Sequence, residues 1–251
     1  MDTASKPNEL IRGIVAGTER TSRHAPASPR LFAASINAGS GTASNNATGR
    51  KRHGAILEVA SMGPVWADAL IRMGFCNSRR VANRILSKLY DDGKGPLKLL
   101  GKLQMGDTGA KTLVYGSYAP GYNQLEHDVM AMQIILAYWP CEFRVGRECD
   151  PETRFDGEME LADPFGIEAD NDTEGPNKLR KRLEIIARSD RTCLFVSRRV
   201  ERLRRVMVLA KGMENIFFCP FDEVLRDPWG LIWADPEGGP ARVRKGGADP
   251  A

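Results

Sequence analysis

The chain has 251 residues, with 36 Lys and Arg against 32 Asp and Glu for a net charge of +4, and its 42% hydrophobic and 27% charged residues are ordinary for a folded protein. Five cysteines without a C-x-x-C pair, and only three histidines, argue against a disulfide framework, a zinc ribbon or a His-rich metal site. No run of roughly 18 apolar residues is present and no apolar leader opens the chain, so a membrane span and a secretory signal are not expected; free thiols in a cytoplasmic location are.

Residues 1–53 are rich in Ser, Ala, Asn, Gly and Thr with scattered Arg and Lys. Such a segment buries too little apolar surface to offset its ordering entropy, so it reads as a disordered basic arm with one short helix over 8–15. Arg50, Lys51 and Arg52 are placed to touch phosphates where the arm meets the folded body. The pattern then changes. A short helix over 55–62 stops at Gly63 and Pro64, and a second covers 66–73 before Gly74. Asn77 and Ser78 supply an N-cap for a third helix over 79–91, ended by Gly93. Strand-like runs over 97–104 and 111–117 follow, joined by the Gly/Asp turn MGDTGA. Three helices and a hairpin in this order predict a winged helix-turn-helix over 54–118.

The third helix carries the functional signal. At helical spacing Val81, Ala82, Ile85, Leu86 and Leu89 fall on one side, and Arg79, Arg80, Asn83, Arg84, Ser87 and Lys88 on the other. Arg can fork onto guanine O6 and N7, and Asn can pair with adenine N6 and N7. Lys88 lies further along and suits a phosphate, and Lys102 and Lys111 flank the hairpin turn as candidate wing contacts. A merely solvated basic face is the alternative reading of the same residues.

The second half reads as a helix over 124–139, strands over 141–149, 154–162 and 165–170, a basic helix over 177–188, a strand over 191–197, a helix over 199–210 and a strand over 215–221. That order predicts an α/β domain over 122–235 around a small mixed sheet, with a disordered tail over 236–251. Asp156 lies on one strand, and Glu168 and Asp170 on the next, two apart and so on one face. Three such oxygen ligands at a sheet edge suit Mg²⁺, which activates water and stabilises a phosphodiester transition state. His127 and Asp128 open a helix, where Glu126 and Asp128 suit the helix dipole and His127 can join the acids. The runs KLRKRLEII and SRRVERLRRV present Lys178, Arg180, Lys181, Arg182, Arg198, Arg199, Arg202, Arg204 and Arg205 on helix faces that are either solvated or phosphate-tracking. No P-loop, G-x-G-x-x-G or G-x-S-x-G motif is present.

ILEVASMG, SRRVANRILSKLYDDG, HDVMAMQIILAY, RFDGEMEL, FGIEADNDTEGPNKLRKRL and CLFVSRRVERLRRV together resemble the plasmid replication-relaxation protein family, over about residues 55–225. The resemblance implies a winged helix joined to a domain similar to PD-(D/E)XK nucleases, acting on DNA at a plasmid origin or transfer site. It gives Asp156 and Glu168 the metal-binding role and implies Mg²⁺. The pattern departs at Asp170, which stands where the family has the lysine that orients the attacking water. Lys178, on the next helix, is the candidate substitute.

The expected fold is therefore α+β, a winged helix-turn-helix followed by a restriction-endonuclease-like domain. The expected function is double-stranded DNA binding in plasmid replication or conjugative mobilisation, with a nuclease-like domain kept for binding or assembly and no cofactor. Its expected partners are DNA, a relaxase or replication protein, and a second copy of the chain. A metal-dependent nickase using Asp156, Glu168, Asp170 and Lys178 with Mg²⁺ is the alternative, and a dimeric transcription regulator the second.

Overall fold

In the computed structural model, residues 45–105, 111–118, 124–146 and 149–243 are described. The first helix, α1 (Asn45–Met62), begins ten residues before its expected start at residue 55, so Arg50, Lys51 and Arg52 ride on a helix rather than in an arm. Ile56, Val59 and Ala60 anchor its second half in the core. Once that end is fixed, adding upstream turns needs no new nucleus, and this outweighs the Ser/Asn/Gly composition. The helix proposed over 8–15 lies outside the described residues.

α2 (Ala67–Arg72) and α3 (Arg79–Tyr90) follow. Ser78 caps α3 in extended conformation, its hydroxyl accepting from the Val81 N–H at 3.4 Å. Ala82, Ile85, Leu86 and Leu89 are buried as the spacing requires, while Val81 is only half-buried. A 3₁₀ turn at Asp91–Gly93 then leads to the antiparallel pair β1 (Lys98–Leu103) and β2 (Thr112–Gly116), with a bulge between Leu99 and Gly101. Val65, between α1 and α2, adds a bridge to this hairpin: its N–H and C=O each pair with Tyr115 at 2.8 Å. Residues 106–110 of the expected turn lie outside the described residues.

α4 (Gln124–Ala137) is the joint of the molecule. It is apolar on nearly every side, and a helix of that kind has to be buried all round. It packs against α2 and β1, and also against the strands Glu142–Val145, Gly157–Glu160 and Pro164–Asp170 and the helix Phe221–Arg226. Arg72 of α2 donates from Nε to the Leu136 carbonyl at 3.2 Å, satisfying one of the carbonyls left open at the end of α4. The helix stops two residues before its expected end, ahead of the cis peptide between Trp139 and Pro140.

The larger sheet has seven strands in chain order: β3 (Glu142–Val145), β4 (Gly157–Glu160), β5 (Pro164–Asp170), β6 (Thr192–Ser197), β7 (Ile216–Pro220), β8 (Trp233–Ala234) and β9 (Pro240–Ala241). β5, β6 and β7 run parallel, and the other neighbours are antiparallel. The parallel strands are joined by α5 (Pro176–Ile186) and α6 (Val200–Leu209), which cover one face, while α4 and α7 (Phe221–Arg226) cover the other. Alternation along β6 makes this possible: Cys193 and Phe195 enter the α5/α6 core, and Leu194 and Val196 the α4 core.

The described residues thus form a mixed α+β protein with seven helices and a mixed sheet. The tail expected at 236–251 is ordered in its first part. Pro240–Ala241 pairs with Trp233–Ala234, and Val243 is buried. The Asp235 side chain builds that turn by accepting from the N–H groups of Glu237 and Gly239, at 3.0 and 2.7 Å. No helix of the described residues is long and apolar enough to cross a membrane.

Candidate functional site

Two sets of side chains bear on function, one on α3 and one on the larger sheet. On α3, Arg79, Arg80, Asn83, Arg84, Ser87 and Lys88 are all exposed. Arg79 is already engaged. Its guanidinium forks onto Asp68 of α2, with Nε to Oδ1 at 2.6 Å and Nη2 to Oδ2 at 2.5 Å. An exposed pair of this kind adds little stability, and it links α2 to the start of α3. Among the described residues, no carboxylate is paired with Arg80, Arg84 or Lys88.

α1 extends the charge of this face. The pKa of His53 is lowered by burial and then by the nearby cations Lys88 and Arg52, so the ring stays neutral between them. Arg52 of α1 and Lys88 of α3 are both exposed, and each bears on His53. Lys102 on β1 and Lys111 before β2 are exposed, as are Leu99 and Leu113 of the same hairpin.

The three predicted carboxylates do not converge as an open ligand set. In β5, Phe165, Ile167 and Ala169 face α4, which turns Glu168 and Asp170 toward α5 and α6. There each meets an arginine. Arg182 of α5 forks onto Glu168, with Nε to Oε1 at 3.1 Å and Nη2 to Oε2 at 2.6 Å, and also donates to the carbonyls of Thr153 and Arg154. Arg202 of α6 forks onto Asp170, with Nε to Oδ2 at 2.7 Å and Nη2 to Oδ1 at 3.1 Å. It further donates to the Glu174 carbonyl at 2.9 Å and lies 3.3 Å from Asp172. The Arg202 and Asp170 side chains are only 8% and 6% exposed.

Asp156 is drawn the other way, toward α4. Its Oδ2 accepts from the Ala169 N–H at 2.9 Å and lies 3.4 Å from His127 Nδ1, and Gln124 Nε2 donates to its Oδ1 at 3.4 Å. The hydrogen bond with Asp156 pushes the His127 pKa up to about 9 against the opposing effect of burial, so the ring is a cation at neutral pH. Burial, and then the Asp156 carboxylate, hold the Glu168 carboxyl above the usual carboxylate range against the opposing pull of Arg182.

The Mg²⁺ implied by the resemblance does not fit these residues. It needs carboxylate oxygens free for octahedral coordination. Both oxygens of Glu168 and of Asp170 are held in guanidinium forks, and Asp156 faces an imidazolium. Among the described residues, no group of three or more His, Cys, Asp or Glu is placed to hold a metal ion. Lys178 does not reach the carboxylates either. Its ammonium is exposed and lies 3.4 Å from Glu174 one turn back. The position that does reach Glu168 is Arg182, one turn further along. α5 buries Leu179, Leu183 and Ile186, and Arg182 lies beside that stripe whereas Lys178 points away from it.

The start of α4 departs from the dipole reading. His127 joins Asp156, while Asp128 is fully buried and accepts from Tyr118 Oη and Gln124 Nε2, each at 3.1 Å. Burial pushes the Asp128 pKa up to about 6. Gly146 allows this close packing: at φ +64°, a Cβ there would lie 2.9 Å from Asp128 Oδ1. In the sequence, Arg182 and Arg202 stand only among the basic helix faces. The available signal was an arginine beside a buried helix stripe, following a strand whose inward face is acidic.

Two predictions follow from these geometries. The His127 pKa in the fold lies above its ordinary 6.5. The pair therefore stabilises fully below about pH 6.5, and the contribution fades as pH rises through about 9, with an upper size on the order of 2–3 kcal/mol. Urea unfolding of wild type and His127→Gln is expected to differ most between about pH 5 and 6.5 and to converge above about pH 9; a constant difference would contradict the pairing. Arg182→Ala leaves Glu168 buried without its cation and is expected to destabilise by about 3–5 kcal/mol. Adding Glu168→Gln should recover part of that loss, whereas strictly additive losses would show that the two side chains do not interact.

Comparison with known proteins finds no matching family, no matching curated protein and no matching solved structure.

Proposed function

We propose that this chain binds double-stranded DNA through a winged helix-turn-helix at residues 54–118 and serves plasmid replication or mobilisation, its α/β half being used for binding or assembly rather than cleavage. The observation that carries the reading is the outer face of α3. Arg80, Asn83, Arg84 and Lys88 are exposed there on a helix whose opposite side is locked into the core. A rigid helix with a fork-bearing front suits a major groove, and Arg80 with Arg84, one turn apart, can address neighbouring base pairs. Arg52 and Lys88 then suit the phosphates at the rim of the groove, and Lys102 and Lys111 suit a wing contact. Arg79 lies on the same exposed face and would exchange its weak pair with Asp68 for a base contact.

The α/β half supports the non-cleaving version of this reading. Its acidic strand positions are those of the nuclease pattern, yet guanidinium groups stand where a metal and a catalytic lysine would be needed. A metal-dependent nickase is for that reason the weaker alternative. The plasmid setting rests on the resemblance alone.

Fluorescence anisotropy with labelled duplexes selected from a random library tests the reading. Arg80→Ala and Arg84→Ala are each expected to weaken the selected site by about 1–3 kcal/mol. Lys88→Ala should weaken all duplexes alike and make the salt dependence shallower. Affinity unchanged in the Arg80→Ala, Arg84→Ala double variant would remove α3 as the reading helix.

A further inference from the structure

A cavity of about 490 Å³ lies where the end of β1, the middle of α4 and the carboxyl ends of β5 and β6 meet. Its volume falls within the ~300–1,000 Å³ usual for small-molecule sites. The lining combines three chemistries.

The α4 wall contributes Val129 and Met130, an apolar surface with a polarisable thioether suited to the edge of an aromatic ring. On the same helix, Gln133 lines the cavity, and its buried Oε1 has no hydrogen-bond partner among the described residues. A buried acceptor left open is unfavourable, and an apolar residue of similar length would avoid it. The terminal torsion of a glutamine is soft, so its amide can turn either its oxygen or its nitrogen to a ligand. Such an amide matches the paired donor and acceptor on the edge of a nucleobase.

The third chemistry is charge. Arg198 is exposed, and its guanidinium carbon lies 4.9 Å from the centre of the Phe221 ring, a cation–π contact that uses none of its N–H donors in a hydrogen bond. Among the described residues, no carboxylate is paired with Arg198, whereas the adjacent Arg199 is held by Asp172 at 2.8 Å. An open guanidinium edge suits a phosphate. Glu126 also lines the cavity, with only a 3.5 Å contact from Asn171 on one oxygen. A carboxylate there disfavours a bare anion and suits sugar hydroxyls.

We propose that this cavity binds a ribonucleotide unit, with its base against Val129 and Met130 and read by Gln133, its sugar hydroxyls toward Glu126 and its phosphate at Arg198. The unit can arrive as a free mononucleotide or as the end of a single strand. The inference stands whether or not α3 reads duplex DNA.

Calorimetric titration of the full chain tests it, using the four ribonucleoside 5′-monophosphates, inorganic phosphate, and 5′-phosphorylated single-stranded RNA tetranucleotides. Saturable binding of a mononucleotide assigns the cavity to the free ligand, and binding of a tetranucleotide alone assigns it to a strand end. In either case Arg198→Ala is expected to weaken binding about tenfold or more. Gln133→Leu should weaken it similarly while leaving the thermal midpoint unchanged or higher, since the open acceptor is gone. Saturation by neither ligand class, inorganic phosphate binding as well as the nucleotides, or equal affinity in both variants would overturn the proposal.

Discussion

Two guanidinium–carboxylate forks on a single strand, one buried and one partly buried, organise the α/β half of this protein. Glu168 and Asp170 alternate on the face of β5 that α5 and α6 cover, and Arg182 and Arg202 descend from those helices to meet them. Either charge left without its partner in this setting would be strongly destabilising, so the helices must pack where the forks close. The neighbouring β4 repeats the motif. Glu158 and Glu160 lie on alternate positions and are met by Arg191 at 3.8 and 2.7 Å. A sheet face that would otherwise need metal ions or water to compensate its acids is compensated by arginines from the same chain. That one arrangement decides both the architecture and the chemistry open to it.

α4 carries the second constraint. A single apolar core runs from Ile56 on α1 through α4 to Trp233 on β8. The three helices and the hairpin therefore do not hang from the sheet on a linker. Polar contacts lock the joint at both ends of the helix, through Arg72 on the Leu136 carbonyl and Tyr118 on Asp128. A face on α3 and a cavity beside α4 consequently share one rigid support.

Much of this was legible in the sequence where periodicity and burial agree. The stripe of Ala82, Ile85, Leu86 and Leu89 predicts both the helix and its buried side. The run from Cys193 to Val196 is apolar throughout because both faces of β6 are covered, and it reads as a strand for the same reason. Composition misled where a distant anchor decides. The start of α1 is helical because Ile56 and Val59 are packed, and the chain after Trp233 turns back because Asp235 organises a turn. Side-chain partners were the least legible part. The stripe of Leu179, Leu183 and Ile186 sets Arg182 closer to the sheet than Lys178, but the carboxylate it meets is fixed only by the docking of α5, and Arg79 looks like its neighbours until Asp68 stands beside it.

Arg182 and Arg202 occupy both oxygens of Glu168 and of Asp170, the carboxylates that a divalent ion on this strand would need. Titration of the full chain with Mn²⁺, followed by the paramagnetic resonance signal of the free ion, tests it most directly. The account predicts that the free-ion signal grows with added Mn²⁺ as it does in buffer, in wild type and in Glu168→Ala alike. Stoichiometric uptake of Mn²⁺ by wild type, lost in Glu168→Ala, would contradict it.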